Sequence, residues 1–267
     1  MGGAAFAEIL RQVHTGDSPL EIQLPEGWGQ GRSTFGGLVA ALVVEAARQQ
    51  VPPERRLRSA LTTFVAPTTP GPVTLTLELL RSGRAVTQVR GDVRQDGKLT
   101  CAVMLAYGEA RPSALLVGPE PRPEGLGPEG LFELPHLPGV TPDFVQHTGI
   151  RWNLGGPPYT GTPGPDMGGW CRYNPPSPPG SEAWVVAMMD FWPAPVLSQL
   201  TAPAPASSLT WSMELVEDVA GQPMDGWWYY RARTEGVADG YCQFRADLWA
   251  PDGRLAAVSR QTAAVFG

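Results

Sequence analysis

The residues of this sequence that could do chemistry are an aspartate, a serine and a glutamine in its carboxyl-terminal part. Asp190 directly follows an apolar run at residues 185–189, where a carboxylate is costly to bury unless it is hydrogen-bonded. Ser208 opens a strand-like run, and Gln261 lies in the last such run. Taken singly, Asp190 could be a helix end turned to solvent, Ser208 an ordinary strand residue and Gln261 a core amide with satisfied hydrogen bonds. Only tertiary structure could bring the three together, because they belong to three separate elements.

A glycine pair is the second place where chemistry could occur. Gly36 and Gly37 open an apolar run at residues 38–47, which we interpret as a helix that Ser33 or Thr34 caps. The first N–H groups of a helix attract negative charge, and glycine lets another group approach them closely. The plainer interpretation is a buried helix with a Gly-Gly packing contact, and this stretch by itself favours that interpretation.

Composition and motifs exclude several other classes of function. The 20 basic and 26 acidic residues give a formal charge of −6, which argues against nucleic acid or an anionic membrane as the main partner. The three cysteines are far apart and show no metal-ligand spacing. The sequence has no G-x-S-x-G motif, which argues against a Ser-His-Asp hydrolase. None of the three histidines lies in the helix region of either half, which argues against a hydratase with an Asp-His pair. We therefore expect neither a metal nor a redox cofactor.

The predicted helix at residues 35–48 must be positioned by the elements around it. It lacks the polar stripe of a surface helix, so we expect other structure to wrap it on most sides. It is too short to span a bilayer, and Pro52 and Pro53 follow its end. Four strand-like runs come next, at residues 57–66, 73–81, 84–95 and 99–107. Asp96 and Gly97 form a hairpin signal between the last two, which predicts an antiparallel meander.

The same order of elements returns later in the chain. Residues 182–200 are helical in composition but interrupted by prolines, and strand-like runs follow at 207–216, 226–234, 241–250 and 254–266. A second Asp-Gly turn, at residues 252–253, matches the first. The repeat predicts a duplicated domain. The fold class is then α+β, a double hotdog with two antiparallel sheets, each wrapped around a long helix and joined into one continuous sheet.

The halves are separated by a stretch rich in proline and glycine, residues 111–180. We interpret it as a connection with irregular cover, part of which packs on the fold, because a structureless loop of that length is uncommon in a compact domain. The predicted boundaries are residues 1–110 for the amino-terminal hotdog half, 111–146 for the connection and 147–267 for the carboxyl-terminal half.

Several segments resemble the acyl-CoA thioesterase II family. The resemblance rests on FGGLV at residues 35–39, RSALTTFVAP at 58–67, WCR at 170–172, and Asp190 after a helix-like run. It covers most of the chain, and the order and spacing of the motifs carry it. The family usually continues its Asp with a longer polar stretch. Here FWPAP follows at residues 191–195, which predicts an early helix end that could reorient Asp190.

The resemblance implies an activity and a set of site residues. The family holds a water with an Asp, a Ser or Thr, and a Gln, which match Asp190, Ser208 and Gln261. It implies hydrolysis of a fatty acyl-CoA to free acid and coenzyme A, with backbone N–H groups at Gly36 and Gly37 holding the thioester oxygen. Acyl-CoA is then the substrate, no cofactor is needed, and a homo-oligomer, a dimer of double hotdogs, is expected.

A second hypothesis keeps the fold and removes the chemistry. A non-catalytic protein that binds acyl-CoA or another acyl ligand fits the same composition. The amino terminus shows no signal-like segment, and the odd, scattered cysteines suit a reducing compartment, so a cytoplasmic protein of lipid metabolism is expected.

Overall fold

One antiparallel sheet of 11 strands is the framework of the computed structural model, which describes residues 5–14, 18–125, 127–175 and 180–266. Its strand order is β1-β5-β6-β7-β4-β10-β13-β12-β11-β9-β8, and every pairing in it is antiparallel. The amino-terminal half contributes β1 (Leu20–Leu24), β4 (Arg55–Phe64), β5 (Gly71–Ser82), β6 (Val86–Gln95) and β7 (Lys98–Glu109). The carboxyl-terminal half contributes β8 (Thr148–Leu154), β9 (Asp166–Tyr173), β10 (Ala206–Leu215), β11 (Trp228–Ala238), β12 (Tyr241–Trp249) and β13 (Leu255–Val265).

The two halves meet at the pairing of β4 with β10, and the strands outward from that seam correspond in the two halves, with β8 as an additional edge strand of the carboxyl-terminal half. Each half also carries an irregularity at the same place, between Leu57 and Ser59 in β4 and between Ser208 and Thr210 in β10. The predicted hairpin turn at Asp96-Gly97 is present with positive φ at both residues. The antiparallel meander predicted for each half is therefore confirmed, and so is its continuation into one sheet.

The helices are α1 (Phe6–Arg11), α2 (Gly36–Arg48) and α3 (Glu182–Met189), with short 3-10 turns at Gln12–His14, Asp143–His147 and Pro195–Gln199. Ten of the 13 residues of α2 are buried, which explains its missing polar stripe. All eight residues of α3 are buried as well, and α3 packs against α2. It is a short helix rather than the predicted long one, because Pro193 and Pro195 follow closely and disfavour helical backbone before them.

The start of α2 differs from the prediction in one detail. Phe35 is the N-cap residue and provides no side-chain hydrogen bond. Ser33 and Thr34 instead form the strand β3 (Ser33–Thr34), which pairs with β2 (Gly29–Gln30) in a separate hairpin. The predicted Ser or Thr cap is therefore wrong, because this backbone is already engaged in the hairpin.

Part of the long connection packs on the carboxyl-terminal half, as expected. Residues 132–134 run beside β8, where Leu134 N–H donates to Ile150 C=O at 2.8 Å and Trp152 N–H donates to Phe132 C=O at 3.1 Å. Within the described ranges, no helix has the length and apolar character needed to cross a membrane. Residues 1–4, on which the expectation about the amino terminus partly rests, lie outside the described residues.

Candidate active site

Asp190 and Gln261 meet at the junction of helix and sheet. Asp190 is the C-cap residue of α3, and its Oδ1 accepts a hydrogen bond from Gln261 Nε2 at 3.3 Å. Gln261 belongs to β13 and points to the buried face of the sheet. The early end of α3 leaves the carboxylate directed at this amide, so the FWPAP segment does not separate the two predicted site residues.

The environment of Asp190 changes its acidity. Burial raises the pKa of the carboxyl from 3.8 to about 7, while the hydrogen bond from Gln261 and the backbone amide of Gly37 lower it by favouring the charged form. The residue nevertheless keeps partial exposure. A carboxylate that exchanges its proton near neutral pH and can still be reached by water is suited to general-base chemistry.

The first turn of α2 approaches the same carboxylate. A Cβ added at Gly36 would lie 3.2 Å from Asp190 Oδ2 and 3.0 Å from Cζ of Phe64, so the bare glycine preserves the space between these groups. The first N–H groups of a helix have no intrahelical partner and are available to an oxygen atom placed there.

Gly37 has a packing role in addition. A Cβ at Gly37 would lie 2.9 Å from the backbone oxygen of Ala187 in α3 and 2.5 Å from the ring of Phe35. Glycine is therefore required where α2 crosses α3. The two interpretations of the glycine pair therefore apply to different residues. Gly37 fits the packing role, because it lies at the helix crossing, and Gly36 fits the functional role, because it lies beside the carboxylate.

Ser208 lies on the same face of the sheet as Gln261. It is paired with Ala263, two residues beyond Gln261 in β13, and the bulge at Leu209 brings its side chain to the buried face. Ser208 is partly exposed, and no hydrogen bond joins it to Asp190 in the part of the chain that the structure describes. The structure therefore brings Asp190, Gln261, Gly36 and Gly37 into direct proximity. It places Ser208 on the same face of the sheet without a hydrogen bond to Asp190 among the described residues.

The duplicated position in the other half differs in its strand residues. Counterpart positions follow from matching the strand irregularities of the two halves. Leu57 of β4 corresponds to Ser208, and Leu105 of β7 corresponds to Gln261. At the start of α3, which corresponds to the start of α2, the buried carboxylate of Glu182 accepts the backbone N–H of Leu57 at 2.5 Å. Among the described residues, the amide and the hydroxyl are therefore present in the carboxyl-terminal half alone, because apolar side chains occupy their counterpart positions in the other half.

The cysteines do not form a reactive thiol or a metal centre in the part of the chain that the structure describes. All three cysteines are buried, and burial raises the pKa of the Cys101 and Cys171 thiols to about 12. Among the described residues, no group of three or more His, Cys, Asp or Glu side chains could hold a metal ion.

Aromatic residues near the site were missed from the sequence. Trp211 and Phe244 are the direct cross-strand neighbours of Gln261, and Phe64 borders Gly36. The available signal was the alternation of apolar residues in these strands, which predicts a buried face without indicating which residues face the carboxylate.

The sheet of 11 strands, the two packed helices and the carboxylate–amide pair between them define a double-hotdog protein with a candidate site in its carboxyl-terminal half. The family model for the acyl-CoA thioesterase N-terminal domain matches residues 24–107, and the model for the acyl-CoA thioesterase C-terminal domain matches residues 120–265. The chain therefore belongs to the acyl-CoA thioesterase family, as the resemblance in its sequence indicated. The comparison with curated proteins gives no match.

Solved structures share the fold along the whole chain. A conserved protein of unknown function with hot dog fold from Alicyclobacillus acidocaldarius has a TM-score of 0.84 at 21% identity, covering 97% of this chain and 98% of that chain. A putative thioesterase II from Thermobifida fusca YX has a TM-score of 0.82 at 21% identity, with 98% and 97% covered. An acyl-CoA thioesterase II, TesB2, from Mycobacterium marinum has a TM-score of 0.76 at 18% identity, with 98% and 99% covered.

Proposed function

We propose that this protein hydrolyses an acyl-CoA thioester to the free carboxylic acid and coenzyme A, with Asp190 as the base that activates a water. The observation that carries the proposal is the carboxyl of Asp190, whose pKa is raised to about 7 and which is hydrogen-bonded to Gln261 beside the first turn of α2. Membership of the acyl-CoA thioesterase family associates the chain with thioester hydrolysis in general. The residue roles below are part of the proposal.

The proposed reaction begins with a water held by Gln261 and Ser208 next to the Asp190 carboxylate. Asp190 takes one proton from the water as its oxygen bonds to the thioester carbon. The carbonyl oxygen becomes negative, and the N–H group at Gly36 stabilises it at the helix start, while the Gly37 N–H stays on the Asp190 carboxylate. Collapse of this intermediate breaks the C–S bond, and the proton from Asp190 neutralises the departing thiolate.

The first experiment measures release of free thiol from acyl-CoA substrates with the native protein and Ser208→Ala. We expect hydrolysis by the native protein and a lower kcat for Ser208→Ala, because the hydroxyl would hold the water without forming a hydrogen bond to Asp190. Thr210→Ala is the matched control, since Thr210 lies in the same strand on the opposite face. Binding of acyl-CoA in a thermal-shift titration without thiol release would favour the non-catalytic hypothesis.

The homo-oligomer and the cytoplasmic location remain predictions, and they are separate from this proposal. Analytical ultracentrifugation of the purified chain checks the first of them. A sedimentation coefficient for a dimer is expected, and that of a monomer at micromolar concentration would contradict it.

A further inference from the structure

The amide of Gln261 emerges between two buried aromatic rings. Trp211 in β10 and Phe244 in β12 are paired directly with Gln261, and each is only 3% exposed. Side chains at directly opposed positions of an antiparallel sheet have Cβ atoms about 4.5–5.5 Å apart. The inner sheet face on both sides of Gln261 is therefore formed by aromatic rings.

The region behind Asp190 is closed by further rings. Trp192 follows two residues later and stacks on Tyr230 with ring centroids 5.5 Å apart and an angle of 2° between the planes. Trp152 packs on Trp192 at 4.6 Å. Burial raises the pKa of the Tyr230 phenol well above its ordinary value, and the Asp190 carboxylate adds to this rise. These four aromatic and acidic groups occupy the interior side of the site.

The opposite side of the carboxylate faces the surface. Gly36, Phe64, Asp190 and Ser208 are all partly exposed, whereas the residues behind them are buried. A thioester must therefore reach Asp190 from this exposed side, which Gly36 and Phe64 border, with its coenzyme A portion outside and its acyl group meeting the sheet face at Trp211 and Phe244. A long alkyl chain continuing in that direction would have to displace buried rings, because protein interiors are closely packed.

We propose that the substrate of this site is a thioester with a compact acyl group, no larger than a short chain or a single aromatic ring, and that Trp211 and Phe244 set the size limit. This inference rests on the proposed function for the site and narrows the fatty acyl group that the family resemblance implies. A short chain or a flat aryl group can lie against the two rings, and an aryl group adds the favourable edge and offset contacts of aromatic pairs.

The test measures kcat/KM for acetyl-, butyryl-, hexanoyl-, octanoyl-, palmitoyl- and benzoyl-CoA, together with thermal shifts produced by non-hydrolysable thioether analogues of the same acyl groups. We expect the best compact substrate to exceed palmitoyl-CoA by at least about 10-fold, since misfit of a methylene or more in an apolar pocket typically costs that factor. Trp211→Leu and Phe244→Leu should move the size limit towards octanoyl-CoA. Trp249→Leu is the control, because Trp249 belongs to a separate aromatic cluster.

The outcomes separate the size limit from the chemistry. Equal kcat/KM for butyryl- and palmitoyl-CoA would overturn the compact-acyl proposal and leave the thioesterase proposal standing. Absence of hydrolysis with thermal shifts confined to the compact thioethers would refute the thioesterase proposal and support the size limit. Absence of both hydrolysis and size-dependent shifts would refute both. If Trp211→Leu fails to fold, Phe244→Leu and the native chain-length series still decide the size limit.

Discussion

Gln261 Nε2 lies 3.3 Å from Asp190 Oδ1, and this contact links β13, the last strand in the chain, to the end of α3. The amide donates to the charged form of the carboxyl and so opposes the rise in pKa that burial causes. The distance is long for a hydrogen bond to a charged oxygen, which leaves the amide able to bind a water at the same time.

Removal of the amide should move the pH dependence of activity. In Gln261→Ala the carboxyl loses a hydrogen bond that lowers its pKa, so we expect the acidic limb of the kcat/KM profile, near pH 7 in the native protein, to shift to higher pH. Gln243→Ala is the matched control, because Gln243 lies on the neighbouring strand and is exposed. An acidic limb that stays at the native pH in Gln261→Ala would disprove the electrostatic link.

Ionisation of Asp190 should also oppose folding. Its folded pKa of about 7 lies above the ordinary value of 3.8, so the folded state binds the proton more tightly than the unfolded state. The resulting loss of stability is absent below about pH 4, increases up to about pH 7 and is constant above that. Asp190→Asn should therefore be more stable than the native protein at pH 8, by about 2 kcal/mol once partial solvent access is considered, and should match it at pH 4.

Urea unfolding of both proteins at the two pH values provides the measurement. Asp166→Asn serves as the comparison, since Asp166 forms a partly exposed ion pair with Arg233. Equal free energies of unfolding for Asp190→Asn and the native protein at pH 8 would show that burial does not penalise the charge.

The two glycines at the start of α2 should respond differently to substitution. Gly37→Ala places a Cβ 2.9 Å from a backbone oxygen of α3, which cannot move away easily, so we expect a loss of stability of about 1–3 kcal/mol, as is typical of overpacking. Gly36→Ala meets the ring of Phe64 and the Asp190 carboxylate instead. We expect it to lower kcat more than it lowers Tm. A larger fall in Tm for Gly36→Ala than for Gly37→Ala would contradict this division of roles.

The buried carboxylate at the other end of the helix pair should matter for stability and not for catalysis. Glu182 accepts the Leu57 N–H at 2.5 Å and lies 3.8 Å from Arg48. Glu182→Ala leaves the buried amide without its acceptor, which costs about 1–3 kcal/mol, whereas Glu182→Gln retains an acceptor and should cost less. Urea unfolding checks the order. A loss of kcat/KM in Glu182→Gln with unchanged stability would place catalysis at this end too.

Much of the fold follows from the sequence for identifiable reasons. The Asp96-Gly97 turn, the alternation in the strands and the apolar α2 each reflect a local rule, and the repeated order of these signals predicts a duplicated sheet. The cap of α2 was missed because the short hairpin before it depends on pairing with β2. The early end of α3 was predicted from Pro193 and Pro195, whereas the long helix expected for the second hotdog half was wrong.

The residue types of the candidate site could be predicted from the sequence, but the way these residues are arranged could not. Asp190 and Gln261 are recognisable as a carboxylate after an apolar run and an amide in an apolar strand. The geometry depends on strand register, since a shift of one residue would move every side chain of a strand to the other face. Register sets the distance between Asp190 and Gln261, the inward direction of Ser208 and the rings that lie beside Gln261. The division of roles between Gly36 and Gly37 likewise depends on where α3 crosses α2.

The most direct test of the account is the rate of thioester hydrolysis by Asp190→Asn with the best acyl-CoA found for the native protein. The substitution retains the shape of the side chain and removes the base. A positioned general base contributes about 10²–10⁴-fold, so kcat should fall by that order while the protein remains folded. Asp166→Asn, the matched control, should retain native kcat. Hydrolysis by Asp190→Asn at nearly the native rate would contradict the assignment of Asp190 as the base.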